Sequence, residues 1–183
     1  YCFLKATGLE FNEVRLQDDF DRMKDDIMEN MGETFMYRDF QARNIMVKDG
    51  EPYFIDFQGG RKGPIYYDVA SFVWQARSRY PESLRKELVR TYLQSLKSYM
   101  DISEEDFNSR LRLFVLFRTL QVLGAYGFRG YFEKKPHFLG SVPYAMSNVR
   151  KLLREPFTEY PYLNEVLDKL TRLPQLNEMP QDK

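Results

Sequence analysis

At 183 residues with a single cysteine, Cys2, the chain has room for one domain with a sizeable core. The lone thiol excludes an intramolecular disulfide framework and fits a reducing cytoplasm. Its 27 basic and 27 acidic residues balance to a formal net charge of +0, so nothing points to a nucleic-acid partner.

The start, Tyr1-Cys2-Phe3-Leu4-Lys5, lacks the basic lead and apolar run of a signal peptide. Beginning with Tyr rather than Met, the chain reads as a piece of a longer protein. Residues 1–15 predict a helix and then a loop, broken at Gly8. From 16 to 31, Leu16, Phe20, Met23, Ile27, Met28 and Met31 recur at three- and four-residue steps, which predicts an amphipathic helix ended by Gly32. Its other face carries Asp18, Asp19, Asp21, Asp25, Asp26 and Glu29 and reads as solvated.

The stretch Tyr37–Gln58, YRDFQARNIMVKDGEPYFIDFQ, carries the chemistry. Two β-rich runs, Ile45-Met46-Val47 and Tyr53-Phe54-Ile55, flank the turn signal Asp49-Gly50 and predict a hairpin. Asp39, Asn44 and Asp56 are hard to explain as packing, and a hairpin brings its two outer ends together. Two carboxylates and an amide supply the oxygen donors that Mg²⁺ prefers. The register decides whether they share a face. A two-residue loop pairs Asn44 with Ile55, whereas a loop Asp49-Gly50-Glu51 pairs Asn44 with Asp56, and the latter is the expected register.

Gln58–Pro64 is glycine-rich but lacks phosphate-cradling spacing, and reads as a flexible connector. Asp68 is placed to cap a helix over 69–79 that buries Phe72, Val73 and Ala76 and is stopped by Pro81. Residues 82–100 predict a helix with Leu84, Leu88, Tyr92, Leu96 and Tyr99 on one face. Ser103-Glu104-Glu105-Asp106 resembles a capping box opening a helix from Glu104 to about Tyr126. The most apolar run, Leu111–Phe128, is interrupted by Arg112, Arg118 and Gln121, so it reads as a buried helix rather than a membrane span. Arg118 in it is expected to pair with a carboxylate. The sole histidine, His137, stands in a loop before a helix over 142–153; alone, it makes no zinc cluster. A short helix near Leu163–Leu173 follows, and Glu178–Lys183 reads as a linker or frayed tail.

The pattern Asp39-x-x-x-x-Asn44, then a hairpin, then Asp56-Phe57, resembles the catalytic and metal loops of the protein-kinase-like superfamily. Gly63-Pro64-Ile65-Tyr66-Tyr67-Asp68-Val69-Ala70 adds a likeness to its aminoglycoside phosphotransferase and choline kinase branch. Tyr37-Arg38-Asp39-Phe40, Arg43-Asn44 and Asp56-Phe57-Gln58 together look most like bacterial amino-sugar kinases of that branch. The strong likeness covers about residues 34–76, with a looser helical likeness to about 155.

The resemblance implies a fold that is mainly α with a small β-hairpin: a kinase-like carboxy-terminal lobe over residues 1–160, then a terminal helix and tail or linker over 161–183. No glycine-rich cover and no Ala-x-Lys strand precede Tyr37, so the amino-terminal lobe is absent from this stretch. It further implies ATP or GTP with Mg²⁺, a small hydroxylated acceptor such as a sugar or amino-sugar, a cytoplasmic setting, and neither nucleic acid nor membrane as partner. Asp39 would be the catalytic base, with Arg38 beside it as a catalytic candidate and internal brace; Asn44 and Asp56 would be the metal ligands. Tyr37, Arg43, Gln58 and Asp68 would support them, Asp68 by bracing the catalytic loop. Two positions depart from the pattern. Tyr37 stands where kinases carry His, and Gln58 stands where protein kinases carry Gly. A degenerate, non-catalytic binding module and an unrelated helical interaction domain are the competing readings.

Overall fold

The computed structural model describes residues 1–178. In chain order the elements are α1 (Cys2–Thr7), α2 (Glu13–Glu29), β1 (Thr34–Met36), β2 (Ile45–Lys48), β3 (Glu51–Phe54), β4 (Arg61–Gly63), α3 (Tyr67–Val73), α4 (Glu82–Leu96), α5 (Glu104–Gly127), α6 (Pro136–Leu139), α7 (Val142–Leu152) and α8 (Pro161–Thr171). Helices dominate, and the strands form two small antiparallel sheets, β1–β4 and β2–β3. The chain divides into two compact units, Asn30–Arg118 and the joined segments Tyr1–Glu29 and Thr119–Lys183.

In the Asn30–Arg118 unit, the core forms where Tyr66 stacks on Phe114 at 5.3 Å and on Phe107 at 5.5 Å, with Val69, Val73, Leu93 and Leu111 buried. α5 opens as expected: the Ser103 hydroxyl accepts the Asp106 N–H at 3.0 Å and donates to its carboxylate at 2.7 Å. α4 stops at Leu96, so Tyr99 is exposed rather than on the apolar face; Arg85, not predicted there, is buried.

Other expectations are corrected in this unit. The hairpin pairs Lys48 with Glu51 and Ile45 with Phe54, so its loop is Asp49-Gly50 alone. Both loop residues have positive φ, 53° and 83°, the twist-matched geometry that a two-residue turn needs and that Asp-Gly adopts readily. The glycine-rich connector is partly strand, because β4 pairs with β1, Thr34 opposite Gly63. The helix after Asp68 ends at Val73, six residues short of Arg79. Gln75 leaves the helical region and accepts the Ala42 N–H at 3.1 Å, so a loop contact outcompetes another turn of helix. Pro81 then caps α4 instead of ending α3.

The other unit packs α2 and α7 against α8, burying Leu16, Met23, Ile27, Met146, Val149 and Leu167. The face of α2 read as solvated is only partly so. Asp19 is 2% exposed, accepts the Leu163 N–H at 2.7 Å in the first turn of α8, and lies 3.6 Å from Arg22. A carboxylate there satisfies a helix-end donor and favours the positive end of the dipole. Asp26 accepts a bond from the Tyr160 hydroxyl. In this unit Tyr162, Leu163, Val166 and Leu170 of the terminal helix are buried. His137 lies in α6 rather than in a loop, exposed, its ring 4.3 Å from Phe138. Of the expected tail Glu178–Lys183, all but Glu178 lies outside the described residues.

One stretch, Glu104–Phe132, is long and apolar enough to cross a membrane by length and composition. Phe107, Leu111, Phe114, Leu116 and Leu123 along it are buried in the protein, as a core helix requires.

Candidate active site

The site is assembled from the loop between β1 and β2 and the segment after β3, all within the Asn30–Arg118 unit. Asp68, in the first turn of α3, does not cap its own helix, which carries no side-chain cap bond. Its carboxylate accepts the N–H groups of Tyr37 at 2.6 Å and Arg38 at 2.9 Å instead. Arg38 sits in the left-handed region at φ 76°, a conformation that typically costs a non-glycine residue about 1–2 kcal/mol and persists only where neighbours enforce it. The two bonds from Asp68 do that. The Arg38 guanidinium extends to the Gly59 carbonyl at 3.4 Å.

Phe40 anchors the loop. Its ring lies 5.5 Å from Tyr37, 5.9 Å from Phe54 on β3 and 5.2 Å from Phe72 on α3. With this ring packed inward, the flanking polar residues gather on the Asp39 carboxylate. Gln41 donates to Oδ1; Asn44 Nδ2 donates to Oδ2 at 3.1 Å and to the Asp39 carbonyl at 2.9 Å; Arg43 lies 3.4 Å from Oδ2. Asn44 is 3% exposed, at the end of a 3-10 turn, Ala42–Asn44, rather than in the strand. Neither Gln41 nor Gln75 stood out in the sequence; both are neutral amides recruited by loop geometry that no spacing announces.

Asp56 follows β3 in the left-handed region, φ 64° and ψ 32°. It is exposed and accepts no hydrogen bond among the described residues. The preceding residue is clamped on both sides. The Ile55 N–H donates to the Asn44 carbonyl at 3.0 Å, and the Ile55 carbonyl accepts the Tyr37 hydroxyl. Asn44 therefore faces Ile55 and not Asp56, against the expected register. The alternation rule that motivated that expectation does not reach either residue, because one ends a 3-10 turn and the other is left-handed. Gln58 lies exposed in the 3-10 turn Phe57–Gly59.

The electrostatics follow the geometry. Burial pushes the Tyr37 phenol above its ordinary pKa, and the charges of Asp56, Asp39 and Asp68 push it further, so it stays a neutral donor. Burial raises the Asp68 carboxyl as well, against the lowering pull of the Tyr37 and Arg38 N–H groups and of Arg118. Arg118 donates to the Tyr67 hydroxyl at 2.8 Å and lies 4.8 Å over its ring, while its charge acts on the Asp68 carboxyl.

The donor set fits Mg²⁺. With its amide nitrogen turned to Asp39, Asn44 would keep its oxygen for a cation, and Asp56 would add an exposed carboxylate. Among the described residues no group of three or more His, Cys, Asp or Glu is gathered as a metal cage. Mg²⁺ is ordinarily held by one or two carboxylates with phosphates and water, so two donors suffice.

The sequence is similar to those of known proteins. The chain is 30% identical over 144 residues to the N-acetylmuramate/N-acetylglucosamine kinase of Pseudomonas aeruginosa, covering 77% of this chain and 41% of that protein. It is 28% identical over 123 residues to the same-named kinase of Neisseria meningitidis, covering 66% and 37%. Against that of Pseudomonas putida it is 25% identical over 147 residues, covering 79% and 39%. The chain thus spans about two fifths of the length of the relatives it matches. The sequence profile of the phosphotransferase enzyme family, APH, matches residues 5–102, a span that contains every side chain gathered around Asp39 and Asp56. That span is more than half of its length, and the chain belongs to the phosphotransferase enzyme family.

Proposed function

We propose that the chain is the carboxy-terminal lobe of an ATP- and Mg²⁺-dependent kinase that phosphorylates a hydroxyl of a sugar or amino-sugar. The observation that carries this reading is the Asp39–Asn44 pair. A buried amide fixes both the backbone and the carboxylate of Asp39, so a base and a ligand oxygen share one rigid turn. An ionised carboxylate has about four acceptor sites. Gln41, Arg43 and Asn44 take three, which leaves room for one acceptor hydroxyl to be oriented and its proton received. Asn44 and Asp56 would hold Mg²⁺, which with ATP supplies the transferable phosphoryl group and neutralises its charge. The amino-sugar acceptor is supported by the relatives, each named an N-acetylmuramate/N-acetylglucosamine kinase.

A second reading has one observation in its favour. Arg43 pairs with the Asp39 carboxylate and occupies one of its acceptor sites, which suits a module that binds without catalysis. Both readings are separated by the full-length protein with Asp39→Asn, assayed by ATP consumption with a panel of neutral and anionic amino-sugars. Loss of a general base is expected to cut turnover by about 10²-fold or more with the fold retained. Activity within about threefold of wild type would remove Asp39 from the base role.

A further inference from the structure

We infer that Arg43 selects for a negatively charged acceptor: its guanidinium, exposed beside the Asp39 carboxylate, binds the carboxylate of an anionic amino-sugar whose hydroxyl rests on Asp39. The inference rests on the amino-sugar kinase reading and adds the charge of the substrate and the residue that reads it. The backbone under Arg43 is fixed, whereas its head group is not. Arg43 is the middle residue of the 3-10 turn Ala42–Asn44. On one side the Ala42 N–H is held by Gln75 at 3.1 Å. On the other, Asn44 is buried, its N–H on the Gln41 carbonyl at 2.9 Å and its amide on Asp39. The Arg43 side chain is nevertheless 71% exposed, and its polar contact among the described residues is a single nitrogen 3.4 Å from Asp39 Oδ2.

Holding Asp39 does not account for this arrangement. The carboxylate is already held by Gln41 on Oδ1 and by Asn44 on Oδ2, and an exposed ion pair through one nitrogen adds little to that. A guanidinium carries five N–H donors in a planar fork that matches the edge of a carboxylate. With one nitrogen engaged, the fork stays open to a bidentate partner. What Arg43 adds is therefore a positive charge on a flexible stem, rooted in a rigid turn and next to the seat of the acceptor hydroxyl. An acceptor with its own carboxylate would draw the guanidinium off Asp39 into a bidentate pair, and that frees a further acceptor site on Asp39 for the hydroxyl. A neutral acceptor offers no such partner, and Arg43 then stays on Asp39. One side chain thus couples capture of the anion to readiness of the base.

The test compares full-length wild type, Arg43→Gln and Arg43→Lys on N-acetylmuramate, its methyl ester and N-acetylglucosamine. The acid and its ester share their bulk and differ in charge, so the ratio of their kcat/KM values isolates the carboxylate. Wild type should favour the acid by about 10- to 100-fold, the scale of a charge-assisted pair. Arg43→Gln should bring that ratio to about one, and Arg43→Lys, which keeps the charge without the fork, should fall between. A role confined to holding Asp39 would instead lower turnover of all three acceptors alike and leave the ratio where it was. That result overturns the inference, as does a wild-type ratio of about one. The acid and the ester are also titrated calorimetrically into each protein without nucleotide. If wild type phosphorylates none of the sugars, the kinase reading fails and the titration decides the role of Arg43. Tighter binding of the acid that disappears in Arg43→Gln supports it; equal or undetectable binding of acid and ester overturns it.

Discussion

Asn44 and Asp68 each make more than one bond, and each bond is to a loop whose conformation would otherwise be unfavourable. Asn44 is buried and its amide nitrogen bonds both the carbonyl and the carboxylate of Asp39. Asn44→Ala should therefore strand the half-buried Asp39 carbonyl and weaken the hold on the carboxylate, at about 1–3 kcal/mol of stability by urea unfolding. A change near zero would mean that water replaces the amide. Asp68 makes a pH prediction. Its carboxyl is raised in the folded chain by burial, so the folded state binds its proton more tightly than the unfolded chain does. The stability tied to this group is then full below the unfolded pKa and declines as pH rises toward the folded value. Protonation also removes charge from the acceptor of the Tyr37 and Arg38 N–H groups. The acid limb of kcat/KM is expected above the ordinary carboxylate value of about 4. Asp68→Asn should erase that limb and lower the plateau; a limb that persists unchanged in the variant belongs to another group.

At the scale of elements, two glycines in α5 separate what local pattern says from what packing says. A Cβ added at Gly124 meets nothing within 4 Å, whereas one at Gly127 falls 2.7 Å from Phe3 Cα and 2.9 Å from its backbone nitrogen. Gly124→Ala should stabilise the chain by about 0.5–1 kcal/mol through helix propensity. Gly127→Ala should destabilise it by about 1–3 kcal/mol, because backbone must move. Thermal unfolding of the pair gives opposite signs if α1 sits where described, and the same sign if it does not. The sequence treats these glycines alike, and the same limit explains most of what it concealed. Periodicity revealed α2 and α4 because each repeats its apolar positions over several turns, and the capping box at Ser103 announced the start of α5. The β1–β4 pair spans three residues a strand, Thr-Phe-Met against Arg-Lys-Gly, with no alternation to read. The hairpin was legible from Asp49-Gly50, but its register was misjudged by extending period two to Asn44 and Asp56, residues that lie outside the strands. The motif residues were legible by type and spacing; the amides of Gln41 and Gln75 that bind the loop were not.

For the whole molecule, the distribution of exposed apolar side chains is the informative quantity. β2 and β3 expose Met46, Val47, Tyr53 and Phe54, with Val47 at 73%, and residues on both faces of this two-stranded sheet meet solvent. Phe35 and Phe57 in the same unit are 70% and 63% exposed. A hairpin open on both faces is marginal by itself. Here it is held from its open end by the Asn44–Ile55 bond, the Tyr37 hydroxyl and the Phe40–Phe54 ring contact. Exposed apolar surface of this kind marks a place where other protein is meant to pack or where copies stick together. The chain produced alone should therefore associate in a concentration-dependent way. Sedimentation velocity over about a hundredfold concentration range reads this directly, with Met46→Glu and Val47→Lys as the control, since both side chains are exposed. The double variant should shift the distribution to monomer without loss of helical signal. A wild-type chain that stays monomeric throughout the range would show that the hairpin's apolar residues are tolerated in water, and that its weak packing is a property of the strand pair alone.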